Sequence, residues 1–523
     1  MPIVPAFGCE NYGIPVIRRN AEAWRHFDVL GMIETDYSQT ADDYGTDLVL
    51  DEATTEKYES LLRSQKVWFD SDTCSARLVY VNGRFCPSLS KTSSVARNLT
   101  PEDVSSSRKE ITDYLLRLPD GFTDDLAGDK DEVKKECGTT KLSELSAPNH
   151  NTGDATSQFA INNQQGVACF AALNSYRAGS VAFVDIPENH EEELPIHILN
   201  VVTADGGVSA SEDNKGVTRH PRALIVADKL SKASIVQSVV DLEGDSDSSP
   251  EIPKFHNGYT QVFLDANATI SHSYIEETGG VPTENVECSG DEYEEARKIE
   301  AARPGLRNTH LECIDVHLLS DFSNYKGTLM GIGGCGRSKI ALTTTLLKPD
   351  SFTEINGLSV SGGDQTVDMR TTIHHIAHGT SSKQSQKNMV GGRATATFKG
   401  RIRVEQSAQQ TDSQQLARTL LLSDRAKIWA IPSLEIIADD VACTHGATIS
   451  DLSEEEMFYL RSRGLDKIQS RNMLMYAFVD EIGQNVEDCY LKGDGMLKDR
   501  IISRLQILAP KGERAIKGEF SSV

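Results

Sequence analysis

No stretch of this chain approaches the roughly 20 consecutive apolar residues that a membrane-spanning helix needs, so no helix is expected to cross a bilayer. The first residues, MPIVPAFGCENYG, lack a basic segment followed by an apolar one, so neither a secretory signal nor an arginine-rich transit peptide is read there. Basic residues are outnumbered: 53 Lys and Arg stand against 77 Asp and Glu, a net charge of −24. That field works against phosphate backbones and anionic headgroups, so neither nucleic acid nor a membrane surface is an expected partner. The ten cysteines form no C-x-x-C pair and no close double spacing. A zinc ribbon or a self-contained iron–sulfur motif is thereby excluded, and free thiols in a reducing compartment are expected. The nucleotide-binding pattern G-x-x-x-x-G-K-[ST] is also absent, so the chain has no ATP site of its own.

What is present is mostly β. At 523 residues the chain is too long for one ordinary core, which implies two to four domains or a solenoid in which one element keeps growing. Leu78 to Phe85, LVYVNGRF, alternates branched and aromatic residues around Asn82-Gly83, a strong hairpin signal. From Gly166 onward short β-rich runs recur, among them VACFAALN, SVAFVDIP, LPIHILNVV, ALIVADKL and ASIVQSVVDL. Between Leu311 and Val441 the pattern tightens, as in KIALTTTLL, SFTEINGLSV, RATATFKGRIRVEQ and AKIWAIPSLEIIA, with Gly or Asp at the corners. Two-residue hairpin turns are missing over more than a hundred residues, which favours a parallel β-helix over a sandwich.

Other stretches interrupt or close this pattern. Residues 14–36, with Trp24, His26 and Phe27, predict a short docking helix, and ITDYLLRL predicts one inside the polar region 86–157. Acidic insertions are expected near 243–255 and 279–308, the latter helical in DEYEEARKIEAARPG. After Ser450, DLSEEEMFYLRSRGL shows an Asp or Ser cap with Glu three residues on and ends at Gly464, and further amphipathic helices follow. The division is therefore an N-terminal helical or mixed region 1–157, a β core 158–450 and a helical domain 451–523.

Three constellations carry possible chemistry. Gly331, Gly333 and Gly336 spell G-x-G-x-x-G, but RSKIALTTTLL after them is β-branched, so no helix end is available for a pyrophosphate and a tight coil corner is expected. TIHHIAH supplies His374, His375 and His378 near Asp364 and Asp368, a set that a β-helix enzyme acting on acidic or sugar polymers would need on one face. Neighbouring strand residues point oppositely, which favours stacked polar contacts instead. Cys443 and His445, with one residue between them and just after Asp439 and Asp440, pair a soft thiolate with an imidazole. Such a pair holds iron, zinc or a sulfur species, or simply occupies a turn.

Several long motifs resemble one family. LVYVNGRF, RHPRALIVAD, INGLSVSGGDQTVDMRTTIHHIAHGTSS, FKGRIRVEQSAQQTDSQQLARTLLLSD and PSLEIIADDVACTHGATISDLSEEEMFYLRSRGL are similar to the SufB/SufD family of iron–sulfur assembly proteins, in its SufD form. RRNAEAWRHFD resembles the family's N-terminal signature. The match covers about residues 15–36, 77–85 and most of 158–481; the polar insertions lie outside it. Ala430 departs from the basic residue common at its position, and CTHGAT differs from the E-H-E-A-[ST]-T of the SufB-type paralogue, which receives persulfide sulfur.

The resemblance implies a mainly β protein, a right-handed parallel β-helix with helical segments at both ends. It implies a non-catalytic scaffold that pairs with SufB through the β-helix and holds the ATPase SufC through its C-terminal helices. Nascent clusters, transient and shared with SufB, would pass from there to apo-proteins. Cys443 and His445 match the family's C-[ST]-H-G motif, candidate iron or cluster ligands at the SufB interface. Phe458, Tyr459, Leu460 and Arg461 fall in the stretch matching the SufC-docking region. The plastid stroma is the favoured compartment, with the cytoplasm as alternative.

Overall fold

The hairpin signal is where the β structure begins to close. Asn82 and Gly83 both take positive φ, 52° and 83°, the two-residue turn whose twist matches that of its flanking strands. Around it Tyr80 pairs with Phe85 and Val81 with Arg84 in antiparallel register. The computed structural model describes residues 27, 39–40, 47–70, 72–101, 103–104, 167–203, 217–242, 253–279, 308–483, 486, 497–498, 500–501 and 504. The helices expected in 14–36, ITDYLLRL and DEYEEARKIEAARPG lie outside these residues, apart from Phe27, which is buried with the Lys339 ammonium 5.7 Å from its ring centre.

The early strands are β1 Gln39–Thr40, β2 Ala76–Val81, β3 Arg84–Phe85, β4 Ala96–Leu99 and β5 Val181–Ile186. Next come β6 Ile196–Thr203, β7 Val217–Arg219, β8 Arg222–Ala227, β9 Lys232–Leu242, β10 Lys254–Leu264 and β11 Thr269–Glu277. Then follow β12 Thr309–Leu318, β13 Asn324–Gly331, β14 Arg337–Leu346, β15 Phe352–Ser361 and β16 Thr366–His375. The last are β17 Ser381–Val390, β18 Thr395–Val404, β19 Thr411–Leu421, β20 Lys427–Ile436 and β21 Val441–Ser450. From β8 onward each strand pairs in parallel with the next but one, even numbers in one sheet and odd in the other. The chain therefore alternates between two sheets while advancing along their common axis, which is a parallel β-helix. Arg337 pairs with Thr366, and Thr366 with Thr395, so this part of the coil advances one turn every 29 residues.

One corner is built the same way on every turn. Asn189, Leu230, Asn267, Phe322, Asp350, Gly379 and Gln410 all have positive φ, between 55° and 71°. Each donates its backbone N–H to a carbonyl of the following turn, from Lys229 for Asn189 to Asp440 for Gln410. Reversing direction within so few residues needs the left-handed conformation, and the stacked hydrogen bonds offset its cost in the non-glycine residues.

Alternate residues of each strand point inward. Val262 and Leu264 of β10, Ile314 and Val316 of β12, and Ile340 and Leu342 of β14 join one continuous apolar interior. The later turns of the odd sheet are lined differently: Ser382, Gln384, Gln386 and Asn388 of β17 and Ser413, Gln415 and Thr419 of β19 are buried. Their side chains hydrogen-bond one another, with Gln415 donating to Gln384 Oε1 at 2.6 Å and Ser382 and Ser413 hydroxyls 2.7 Å apart. No apolar alternation marks β17 in the sequence, because its inward positions are amides and hydroxyls.

Two expectations are corrected. VACFAALN reads as a β run but forms the helix Val167–Arg177. Its alanines favour a helix, and Phe170, Leu173 and Asn174 are buried; the Asn174 amide donates to the Pro221 and Asn257 carbonyls, both at 2.7 Å. The insertion expected over 243–255 ends earlier than read, since β10 starts at Lys254 and Phe255 is fully buried.

Beyond β21, Ser453 caps the helix Glu454–Ser462 by accepting from Glu456 N at 3.3 Å, and Gly464 follows with φ 95°. The next helix, Lys467–Gly483, lays Met475, Val479 and Ile482 on an outer face formed by Met330, Leu358, Met389 and Leu420. No helix among the described residues is long and apolar enough to cross a membrane.

Candidate functional site: the open end of the coil

Among the described residues β20 pairs only with β18 and β21 only with β19, so both sheets end in an open edge of ten residues. Cys443 follows Ser413 in the register, and His445 follows Gln415. Because Ser413 and Gln415 point inward, Cys443 and His445 share the inner face of the final turn. There Cys443, like Leu434 and Val441, is half-buried against the end of the apolar interior, while His445 is exposed. Burial pushes the Cys443 thiol above its ordinary value, Asp412 pushes the same way, and a hydrogen bond with the Ser413 backbone pulls it back. A metal ion binding this sulfur must therefore displace a proton.

The rim of this end is unusually apolar for an edge. Trp429, Ile431, Ile436, Ile437 and Ile449 are all exposed. A long edge strand with such residues is a template for pairing with another chain. Pro432 sits in β20, a position that an edge tolerates. Ala430 is half-buried on the inner face, register partner of the fully buried Phe398.

Asp439 and Asp440 are exposed and shape the last corner: the side-chain Oε1 of Gln409 accepts from Asp440 N at 2.9 Å, and Gln410 N donates to the Asp440 backbone carbonyl. The other candidates do not converge. Asp364 pairs with Arg393, while Asp368 is buried between Lys339 and Arg370. His374 lies 2.9 Å from Glu405, His375 is buried between the Thr380 and Ser382 hydroxyls, and His378 is exposed in the next corner. No common face is left for glycoside chemistry. Gly331 to Gly336 form the corner between β13 and β14, where a Cβ at Gly333 would lie 2.5 Å from the Thr278 carbonyl.

Residues 209–478 match the family described as SUF system FeS cluster assembly, SufBD core domain. This chain belongs to the SufBD family. Within that family it is of the SufD type. An iron–sulfur cluster assembly SufBD family protein of Synechocystis is 29% identical over 80% of this chain and 76% of its own length. The chloroplastic protein ABCI7 of Arabidopsis thaliana is 28% identical over 60% of this chain and 58% of its own. The iron–sulfur cluster assembly protein SufD of Escherichia coli is 36% identical over 33% of this chain and 40% of its own.

On this SufBD chain the C-terminal candidates occupy a second surface. Phe458 and Tyr459 are 74% and 57% exposed on a helix that buries only Met457. Arg461 is exposed as well, whereas Leu460 is half-buried and its carbonyl accepts from Arg463 and Leu465. Sequence reasoning missed one cluster, inside the coil: His256, His310 and Glu312, all buried, with a ligand atom of each within 4.8 Å of the others. The signal available was H-x-G followed one turn later by H-x-E, visible only once the register is known.

Proposed function

We propose that this chain is a non-catalytic scaffold subunit of the SUF machinery whose open coil end pairs with the β-helix of SufB. His445, with Cys443 beside it, takes part in holding iron or a nascent cluster at that junction, and the cluster then passes to apo-proteins. The observation that carries this reading is the coincidence, on one unpaired and apolar edge, of an exposed imidazole and a thiol on the same inner face. Two ligands from one chain leave an iron site incomplete, so a partner supplying the rest suits the lack of any local cysteine set.

The helices Glu454–Ser462 and Lys467–Gly483 provide the docking surface for the ATPase SufC, centred on Phe458 and Tyr459. Nucleotide hydrolysis is then the partner's task. The chloroplastic relative and the acidic insertions favour the plastid stroma.

The test is anaerobic reconstitution of this chain with SufB and SufC, reading cluster yield per complex by visible absorption. His445→Ala is expected to lower the yield while the three proteins still co-purify. Normal yield with His445→Ala removes the site assignment. A normal yield with Cys443→Ser alone confines Cys443 to packing, in keeping with its place against the apolar interior and its raised thiol value.

A further inference from the structure

His256 of β10 and His310 of β12 are register partners on adjacent turns, and their rings stack 4.4 Å apart at 17°. Both occupy the strand face that carries Val262 and Val316 into the interior. Two residues beyond His310 on that face is Glu312, whose register partner is Gly258. A Cβ at position 258 would lie 1.8 Å from Glu312 Oε2 and 3.0 Å from His256 Nε2. The missing side chain is what lets the carboxylate lean over the neighbouring turn and come within 3.6 Å of His256 Nε2. From the opposite sheet, Tyr274 Oη stands 2.9 Å from both His310 Nε2 and Glu312 Oε2.

Four N and O donors thus converge from three strands, with His310 and Glu312 fully buried and His256 5% exposed. His256 Nε2 has no hydrogen-bond partner although it faces the carboxylate. Leaving such a group unpaired in the interior is unfavourable, a cost that a ligand at that atom would offset. The surroundings hold the carboxylate in place: Glu312 Oε1 accepts from Thr260 Oγ1 at 2.9 Å, and Gln237 ties Thr260 to His272. Burial keeps His256 and His310 neutral, the form of imidazole that coordinates metal, and raises Glu312 to about 8, so an ion bound here takes the place of the Glu312 proton.

We infer that His256, His310 and Glu312 form a binding site for one divalent transition metal inside the β-helix, with the Tyr274 hydroxyl orienting the site. Two imidazoles and a carboxylate select an ion of the iron-to-zinc series over magnesium or calcium. The 3.6 Å between His256 Nε2 and Glu312 Oε2 is near the ligand spacing that bonds of about 2.1 Å give on a tetrahedral ion. This site is separate from the coil end and does not depend on the role of Cys443 and His445.

The experiment titrates the full-length, chelator-stripped chain with Co²⁺ under anaerobic conditions. Expected is one Co²⁺ per chain, with visible ligand-field bands and no thiolate charge-transfer absorption. The bands persist in the Cys443→Ser, His445→Ala double variant and vanish in Glu312→Gln, which keeps the shape of the side chain. Tyr274→Phe, which removes only the hydroxyl, is expected to weaken binding about 10- to 100-fold. Circular dichroism establishes that each variant is folded. Failure of the folded wild-type chain to bind Co²⁺ overturns the inference. So does binding that is unchanged in folded Glu312→Gln and Tyr274→Phe, or that disappears in the coil-end double variant.

Discussion

His445 is the register partner of Gln415, and the two share one inward-facing column in opposite circumstances. Gln415 is 3% exposed and donates to Gln384 Oε1 at 2.6 Å, whereas His445, one turn further on, is exposed. The same column passes from a packed interior to an open end in a single step. His445→Ala should therefore change stability by no more than about 0.5 kcal/mol. Gln415→Ala should cost about 1–3 kcal/mol by leaving the buried Gln384 amide oxygen without its donor. Urea denaturation of the two variants against wild type checks the contrast.

Lys387 is 2% exposed and clamps the C-terminal helix to the coil, donating to the Phe478 carbonyl at 2.7 Å and to the Glu481 carboxylate. Lys387→Met removes that tie and keeps the apolar stem, so hydrogen exchange should speed up in 467–483 while β12 to β17 keep their protection. Equal acceleration across the coil would show that the clamp is not local.

Phe458 and Tyr459 contribute little to the chain's own core. The double change to Ala should leave the melting temperature within about 2 °C while weakening binding of the ATPase partner by at least about tenfold, the loss expected for exposed aromatic anchors. Isothermal titration with that partner measures it, and unchanged affinity moves the docking surface elsewhere.

Acid should destabilise the protein before carboxylates titrate. Burial lowers His197, His220, His256 and His375 from 6.5 to about 3 and His272 to about 4. Between those values and 6.5 these histidines bind more protons in the unfolded chain than in the folded one, so their contribution to stability is full above about pH 6.5 and falls as pH drops. Each histidine adds up to about 1.4 kcal/mol per pH unit to that slope. Glu276 and Glu312, raised by burial to about 7 and about 8, act oppositely above pH 4.5, because the folded state keeps their protons. Five histidines outweigh two carboxylates between pH 4.5 and 6.5. Denaturant midpoints at pH 5 and pH 7 test the sign.

Much of the coil was legible because its apolar strands carry branched residues between Gly, Asn or Asp corners, and the hairpin at Asn82-Gly83 was read to the residue. The polar turns were not. In β17 and β19 the inward residues include Ser, Gln, Asn and Thr, whose hydrogen bonds run in large part to the neighbouring turn about thirty positions away, as from Gln415 to Gln384 and from Asn388 to Thr419, and no local pattern records that. The helix at Val167 hid for the converse reason, being apolar without a polar face. At the candidate site, the sequence brought Cys443 and His445 together, and their common inward face followed only from the register with Ser413 and Gln415. The His256, His310 and Glu312 cluster depends on Gly258 across the turn, a relation invisible along the chain.

The repeated left-handed corner from Asn189 to Gln410 has a mechanical consequence. Each turn is fastened to the next by one such bond and by its strand ladders, so cohesion is passed between nearest neighbours and not gathered in a centre. An interior turn is gripped from both sides, but among the described residues the turn bearing Cys443 and His445 is gripped from one. With support on one side only, it is expected to fray more readily than an interior turn and to gain from a neighbour. A subunit seated there would do more than occupy a surface: it would supply the missing half of that turn's support, and set how firmly Cys443 and His445 are held.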